Sequence, residues 1–122
     1  MALPSYSCVC CNASVEESLA HLFLHCPFAQ GCWSAIGLNV GILDPFIALE
    51  SLRIQLNVPF FMEIITLICW GIWLQRNDLI FKGIQPNHHN CKTHFIKEFA
   101  FVILRAKSRH KPAMSSWLEA LV

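Results

Sequence analysis

The chain has 122 residues, enough for one domain with a modest core. Hydrophobic residues make up 55%, charged residues only 14%, and the mean hydropathy is +0.47, which excludes a chain that leaves its apolar surface in water and calls for burial in a core, a partner or a bilayer. The formal net charge of +1 is unevenly spread: residues 1–52 hold four acids and no Lys or Arg, whereas residues 53–122 hold all nine basic residues and four acids, so attraction to phosphate belongs to the second half.

The opening MALPSYSCVC has neither a basic n-region nor an apolar h-region, so no secretory signal is expected. With seven cysteines, an odd number, a reducing compartment is expected, nuclear or cytoplasmic, with thiols free or on metal. Residues 8–33, CVCCNASVEESLAHLFLHCPFAQGCW, then gather five of the seven cysteines and two of the six histidines. Cys8 to Cys11 reads as a tight turn. Ser14 and Glu17 fit a capping box opening a helix with Leu19, Leu22 and Phe23 on its apolar face. Pro27 ends that helix, because the residue before a proline avoids the α region. A short helix follows over Phe28 to Gly37.

Asp44-Pro45 is a helix start, Asp as N-cap and Pro at the first position, for a helix to about Leu56 with Phe46, Leu49, Leu52 and Ile54 or Leu56 inward. Asn57 and Pro59 repeat that start signal for the longest apolar element, about Pro59 to Phe81, with Gly83 as C-cap. Residues 83–92 read as a loop. Thr93 caps a helix from His94 to about His110, with Phe95, Phe99, Val102, Ile103 and Ala106 at helical spacing. Pro112 interrupts it, and Ser116 and Glu119 frame a last short helix, 116–121. No run of strands emerges. The expected class is all-α, with a metal-stapled segment at 1–37 and a helical region at 38–122.

The metal reading rests on spacing. Cys8, Cys11, His21 and Cys26 form C-x2-C-x9-H-x4-C, and zinc takes four N or S donors in a tetrahedron. A tight turn presents the first two cysteines, and a helix presents His21. Cys26 must lie at a break, because at i and i+5 of an unbroken α-helix the two side chains point roughly 140° apart. His25, four residues after His21, stays open as a replacement for Cys26, and Cys10 for Cys8. Cys32 reads as a small apolar residue beside Trp33. Four protein ligands leave no open coordination position, so the expected ion is structural.

These residues carry a resemblance. Cys-Val-Cys-Cys-Asn at 8–12, Glu17-Ser18, His21-Leu22-Phe23-Leu24-His25-Cys26-Pro27-Phe28-Ala29 and Cys32-Trp33 resemble the zinc-binding domain that follows the reverse transcriptase in plant LINE-type non-LTR retrotransposons. Trp70, Trp73, Arg76-Asn77 and Ile80-Phe81 are similar to a Trp-x-x-Trp-x-x-Arg-Asn-x-x-Ile-Phe segment found after that domain, and the tail through Pro112 and Trp117 also looks like such polyproteins. The resemblance implies zinc ligands at Cys8, Cys11, His21 and Cys26. It departs from the family in lacking the Trp-rich lead-in before the first cysteine pair, which makes a truncated fragment the expectation. It also lacks a Tyr-x-Asp-Asp motif, the only tyrosine being Tyr6, so the family's polymerase activity does not carry over.

Other stretches point to surfaces. Arg105, Lys107, Arg109 and Lys111 form a basic cluster at a helix end, a candidate contact for the phosphates of RNA or single-stranded DNA, with Val9, Phe23 or Trp33 as stacking residues. The same cluster also suits a solvated helix terminus. The apolar stretch Val58 to Leu74 is seventeen residues long and contains Glu63, so it reads as a core helix ahead of a membrane span, which needs about 20 apolar residues. Exposed apolar helix faces would suit a protein partner or self-association, and the high hydropathy keeps membrane association in view. Arg76, Asn77 and Asp78 read as the polar end of the long helix, and His88-His89 as loop residues. No paired carboxylates, Gly-rich phosphate loop or Ser-His-Asp order is present, so a non-enzymatic protein is expected.

Overall fold

The computed structural model describes residues 18–41 and 44–122. Among them there are five α-helices preceded by a π-helical turn, and no strand. The helices are α1 (Pro27–Ala35), α2 (Pro45–Leu56), α3 (Phe61–Lys82), α4 (His88–Arg105) and α5 (Lys111–Leu121). The all-α expectation holds. The central pair is α3 against α4. The α1 and α5 helices pack on α4, and α2 packs on α3. One continuous core runs from Leu22 in the π-turn through Trp33, Leu52, Ile68, Phe95 and Phe99 to Met114.

Local chemistry explains most helix ends. Asp44 Oδ1 accepts from the Phe46 N–H at 3.0 Å, and Pro45 follows at the first position, as expected. Gly37, at φ +81°, closes α1: its N–H bonds the Ser34 carbonyl and that of Leu38 bonds Trp33, a Schellman closure. Gly83, at φ +67°, closes α3. Asn57 does not start a helix. It sits at φ 49°, ψ 44° and ends α2 in the left-handed conformation that asparagine tolerates, its N–H on Arg53. Phe60 precedes α3 with no side-chain cap.

Three further expectations need correction. The inward face of α2 is Ala48, Leu52 and Leu56, whereas Phe46, Leu49 and Ile54 are exposed. The α2 sequence is apolar nearly all round, so periodicity could not fix the phase, and the spacing of four that faces α3 decides it. Next, α4 begins at His88, not His94. Asn87 is its N-cap, accepting from the Asn90 N–H at 3.1 Å, so His88-His89 are helical rather than loop residues. Finally, α4 stops at Arg105, where Ala106 is extended, and Pro112 lies in the first turn of α5 rather than breaking a helix. Ser116 and Glu119 therefore lie inside α5. The basic segment 106–110 is the hinge between these two helices.

No single helix among the described residues is long and apolar enough to cross a membrane; α2 and α3 meet at 119°. The middle of α3 is core, with Ile64, Ile68 and Ile72 fully buried. Its polar end is tied locally. The Arg76 guanidinium lies 5.1 Å from the Trp73 ring centroid, and Lys82 Nζ sits 3.6 Å from Asp78.

Candidate metal segment and basic cavity

The first candidate site is only partly described. Cys8 and Cys11, the alternative Cys10, the Ser14–Glu17 capping box and Val9 lie outside the described residues. Of the four expected ligands, His21 and Cys26 are placed. Helical structure begins at Leu19, and Ser18 Oγ accepts from the His21 N–H at 3.1 Å, as an N-cap serine does. The chain then widens into a π-turn over His21–His25, closed by the Cys26 N–H on the His21 carbonyl at 2.7 Å. Cys26, at φ −60° and ψ 132°, leaves the helix immediately before Pro27, which opens α1.

The wide turn alters the angular argument. An i→i+5 closure widens the turn to about 4.4 residues, so the separation between His21 and Cys26 falls from roughly 140° to roughly 50°. The two are also buried, His21 to 7% and Cys26 to 0% exposure, whereas His25 is half-buried. A soft sulfur and an imidazole on neighbouring sides of one sheltered turn suit zinc. Where the chain holds such an ion, His21 and Cys26 would supply two of its donors, and the ion would lock the turn. Among the described residues alone, no three His, Cys, Asp or Glu side chains gather to hold a metal.

Behind this segment lies a thiol group that no sequence spacing signals. Cys32 on α1 shares a side-chain hydrogen bond with Cys91 on α4, and both are 1% exposed. A Cβ added at Gly71 of α3 would stand 3.1 Å from Cys91 Sγ and 3.6 Å from His94 Nδ1, so the lack of a side chain there admits α4. His88 stacks on Phe28 with centroids 4.9 Å apart, against the open side of Gly31. The Cys32 bond holds the Cys91 thiol below its ordinary range, against the effect of burial. Burial, helped by the nearby Cys91 charge, pushes Cys69 from 9.0 up to about 11. A thiol with a raised folded value keeps its proton after the unfolded chain has lost it. Stability should therefore fall as pH rises from about 9 to about 11, by at most about 1.4 kcal/mol per pH unit. Urea titrations of wild type and Cys69→Ala across that window check this, the variant being expected to lose less.

The second candidate site is the α4–α5 hinge. Arg105, Lys107 and Arg109 line a cavity of about 380 Å³ bounded by the start of α3, the end of α4 and α5. Its apolar lining includes Phe60, Val102 and Met114. Lys111 stands apart from this lining and donates from Nζ to the Leu104 carbonyl at 3.3 Å, capping α4. Two further ionisable residues join the cavity: His110, whose Nε2 accepts from Arg109 Nε at 3.2 Å, and Glu63, which the sequence did not suggest. Trp33 is unavailable for stacking on a base, being fully buried with Nε1 donating to the Phe23 carbonyl at 2.8 Å. Phe23 is half-buried.

No curated protein and no solved structure matches the chain. Residues 1–33 match the family described as zinc-binding in reverse transcriptase, a span that contains all four expected ligands and ends at Trp33 in α1. That segment is thus similar to a reverse-transcriptase zinc-binding domain, and zinc is the cofactor the family description implies.

Proposed function

We propose that this chain is a non-enzymatic, retroelement-derived module, stapled by one structural zinc on Cys8, Cys11, His21 and Cys26, that binds single-stranded nucleic acid. In this reading it derives from a plant LINE-type element and works inside the cell. Residues 1–37 carry the staple and residues 38–122 the binding surface. The observation that carries it is the hinge: three cations, Arg105, Lys107 and Arg109, share the lining of one cavity with the apolar Phe60, Val102 and Met114. Cations hold phosphates and release counterions, while apolar and aromatic surface accepts unpaired bases.

Salt dependence tests it. With about three phosphates neutralised, the logarithm of the binding constant for a short RNA or DNA strand should fall against log salt with a slope of about −2. The variant Arg105→Gln/Lys107→Gln/Arg109→Gln should flatten that slope. Binding of wild type that is indifferent to salt removes the proposal. A second reading, a protein-interaction, self-association or membrane-interaction module, is favoured by the apolar face of α2, where Phe46 is 83% and Ile54 62% exposed. Sizing at increasing concentration and vesicle flotation separate it from the first.

A further inference from the structure

Resting on the nucleic-acid reading above, the geometry points to a seat for one unpaired nucleotide in the hinge cavity, phosphate on the rim and base on the floor. The shape of the chain makes this seat. Because α4 ends at Arg105 and α5 starts at Lys111, the intervening segment folds back over the start of α3. In that lining Arg105, Lys107 and Arg109 are exposed, whereas Val102 is half-buried and Phe60 and Met114 are buried, which puts the charges on the solvent side and the apolar groups inward. An anion tied to a flat apolar body fits that division of chemistry, and its volume of about 380 Å³ falls in the range of small-ligand pockets, about 300–1,000 Å³.

Glu63 selects among such bodies. It is the one acid in the cavity lining. A fatty acid would set hydrocarbon against this exposed carboxylate and offer it no donor of its own. A base offers N–H donors to it: adenine and cytosine present an amino group, guanine an amino group with a ring N–H, and uracil a ring N–H alone. The Phe60 ring and the polarizable Met114 side chain supply the contact with the base. The rim cations bind any strand by charge, so the cavity adds a preference for an unpaired base over a bare sugar-phosphate chain.

The test compares a labelled ten-nucleotide oligoadenylate with the same strand carrying abasic sites, by fluorescence anisotropy on zinc-loaded full chain. The abasic strand is expected to bind about tenfold more weakly, and AMP is expected to compete with the intact strand. Ala106→Phe adds a ring to the cavity lining without changing charge, and should bring the intact strand down to the abasic level. Glu63→Ala should erase the preference for oligoadenylate over oligouridylate. Equal binding of intact and abasic strands overturns the seat while leaving phosphate binding in place. Failure of both strands to bind overturns the seat together with the nucleic-acid reading. Should Ala106→Phe melt early, the two strands on wild type still decide.

Discussion

Protein purified without chelator is expected to carry one zinc ion per chain, and His21→Ala and Cys26→Ser are each expected to lose it. Four ligands in a structural site share a binding energy of about 10–16 kcal/mol, so removing one takes on the order of 3 kcal/mol, roughly 100-fold in affinity. His25→Ala should keep the ion. The π-turn gives the reason: Cys26 follows the wide closure on the His21 carbonyl and is fully buried like the core around it, while His25 is only half-buried. Retention of zinc by Cys26→Ser with loss in His25→Ala would exchange the two ligands. Metal content by mass spectrometry under native conditions reads all three variants. Cys8→Ser and Cys11→Ser should match Cys26→Ser, and a Cys10→Ser variant should match wild type. An absence of metal in every protein, wild type included, rejects the staple.

The parts of the fold that were legible are those written in backbone chemistry. Asp44-Pro45 fixes a helix start and Cys26-Pro27 a break after the first helical turn, through φ, ψ and a missing N–H, and Gly83 fixes an end through its positive φ. Asn57 shows the limit, since the same residue type caps either end and the left-handed conformation decides which. Where a tertiary contact makes the choice, the sequence was silent. His88 and His89 look like loop residues until His88 is seen stacked on Phe28 across α1 and α4. The α2 face was misread because its apolar residues surround the helix and only packing on α3 selects Ala48, Leu52 and Leu56. The four cations of the basic cluster were named from sequence, but not that Lys111 turns to the Leu104 carbonyl or that Glu63, from a helix more than forty residues earlier, closes the same cavity. The π-turn was not legible either. The sequence required a break between His21 and Cys26, and the chain met that requirement by widening one turn and then leaving the helix at Cys26.

Phe99→Ala is expected to be the most destabilising single change in the helical region, costing about 3–5 kcal/mol. Phe99 is fully buried on α4 and meets three rings: Phe95 stacked at 5.6 Å, Trp117 at 5.2 Å and Phe60 at 6.0 Å between centroids. Those partners come from α4, α5 and the entry to α3, so the ring joins three elements at one point. Its loss opens a cavity that none of them can fill without moving. Against a domain stability of about 5–15 kcal/mol the melting temperature should drop by roughly 10–20 °C. Phe101→Ala, two residues along and 43% exposed, should change stability by about 0.5 kcal/mol or less, and serves as the control. The consequence reaches the hinge. Trp117 anchors α5 through Phe95, Phe99 and Phe60, and Met114 and Phe60 belong to both this cluster's neighbourhood and the cavity lining. Loosening α5 therefore takes the floor of the cavity with it while leaving the rim charges on the chain. Below its melting temperature Phe99→Ala should still bind strands with near wild-type salt slope, yet lose the distinction between intact and abasic strands. A variant that keeps that distinction would place base recognition outside the hinge, and one whose melting point stays within a few degrees of wild type would reject the three-helix ring cluster as the keystone of the core.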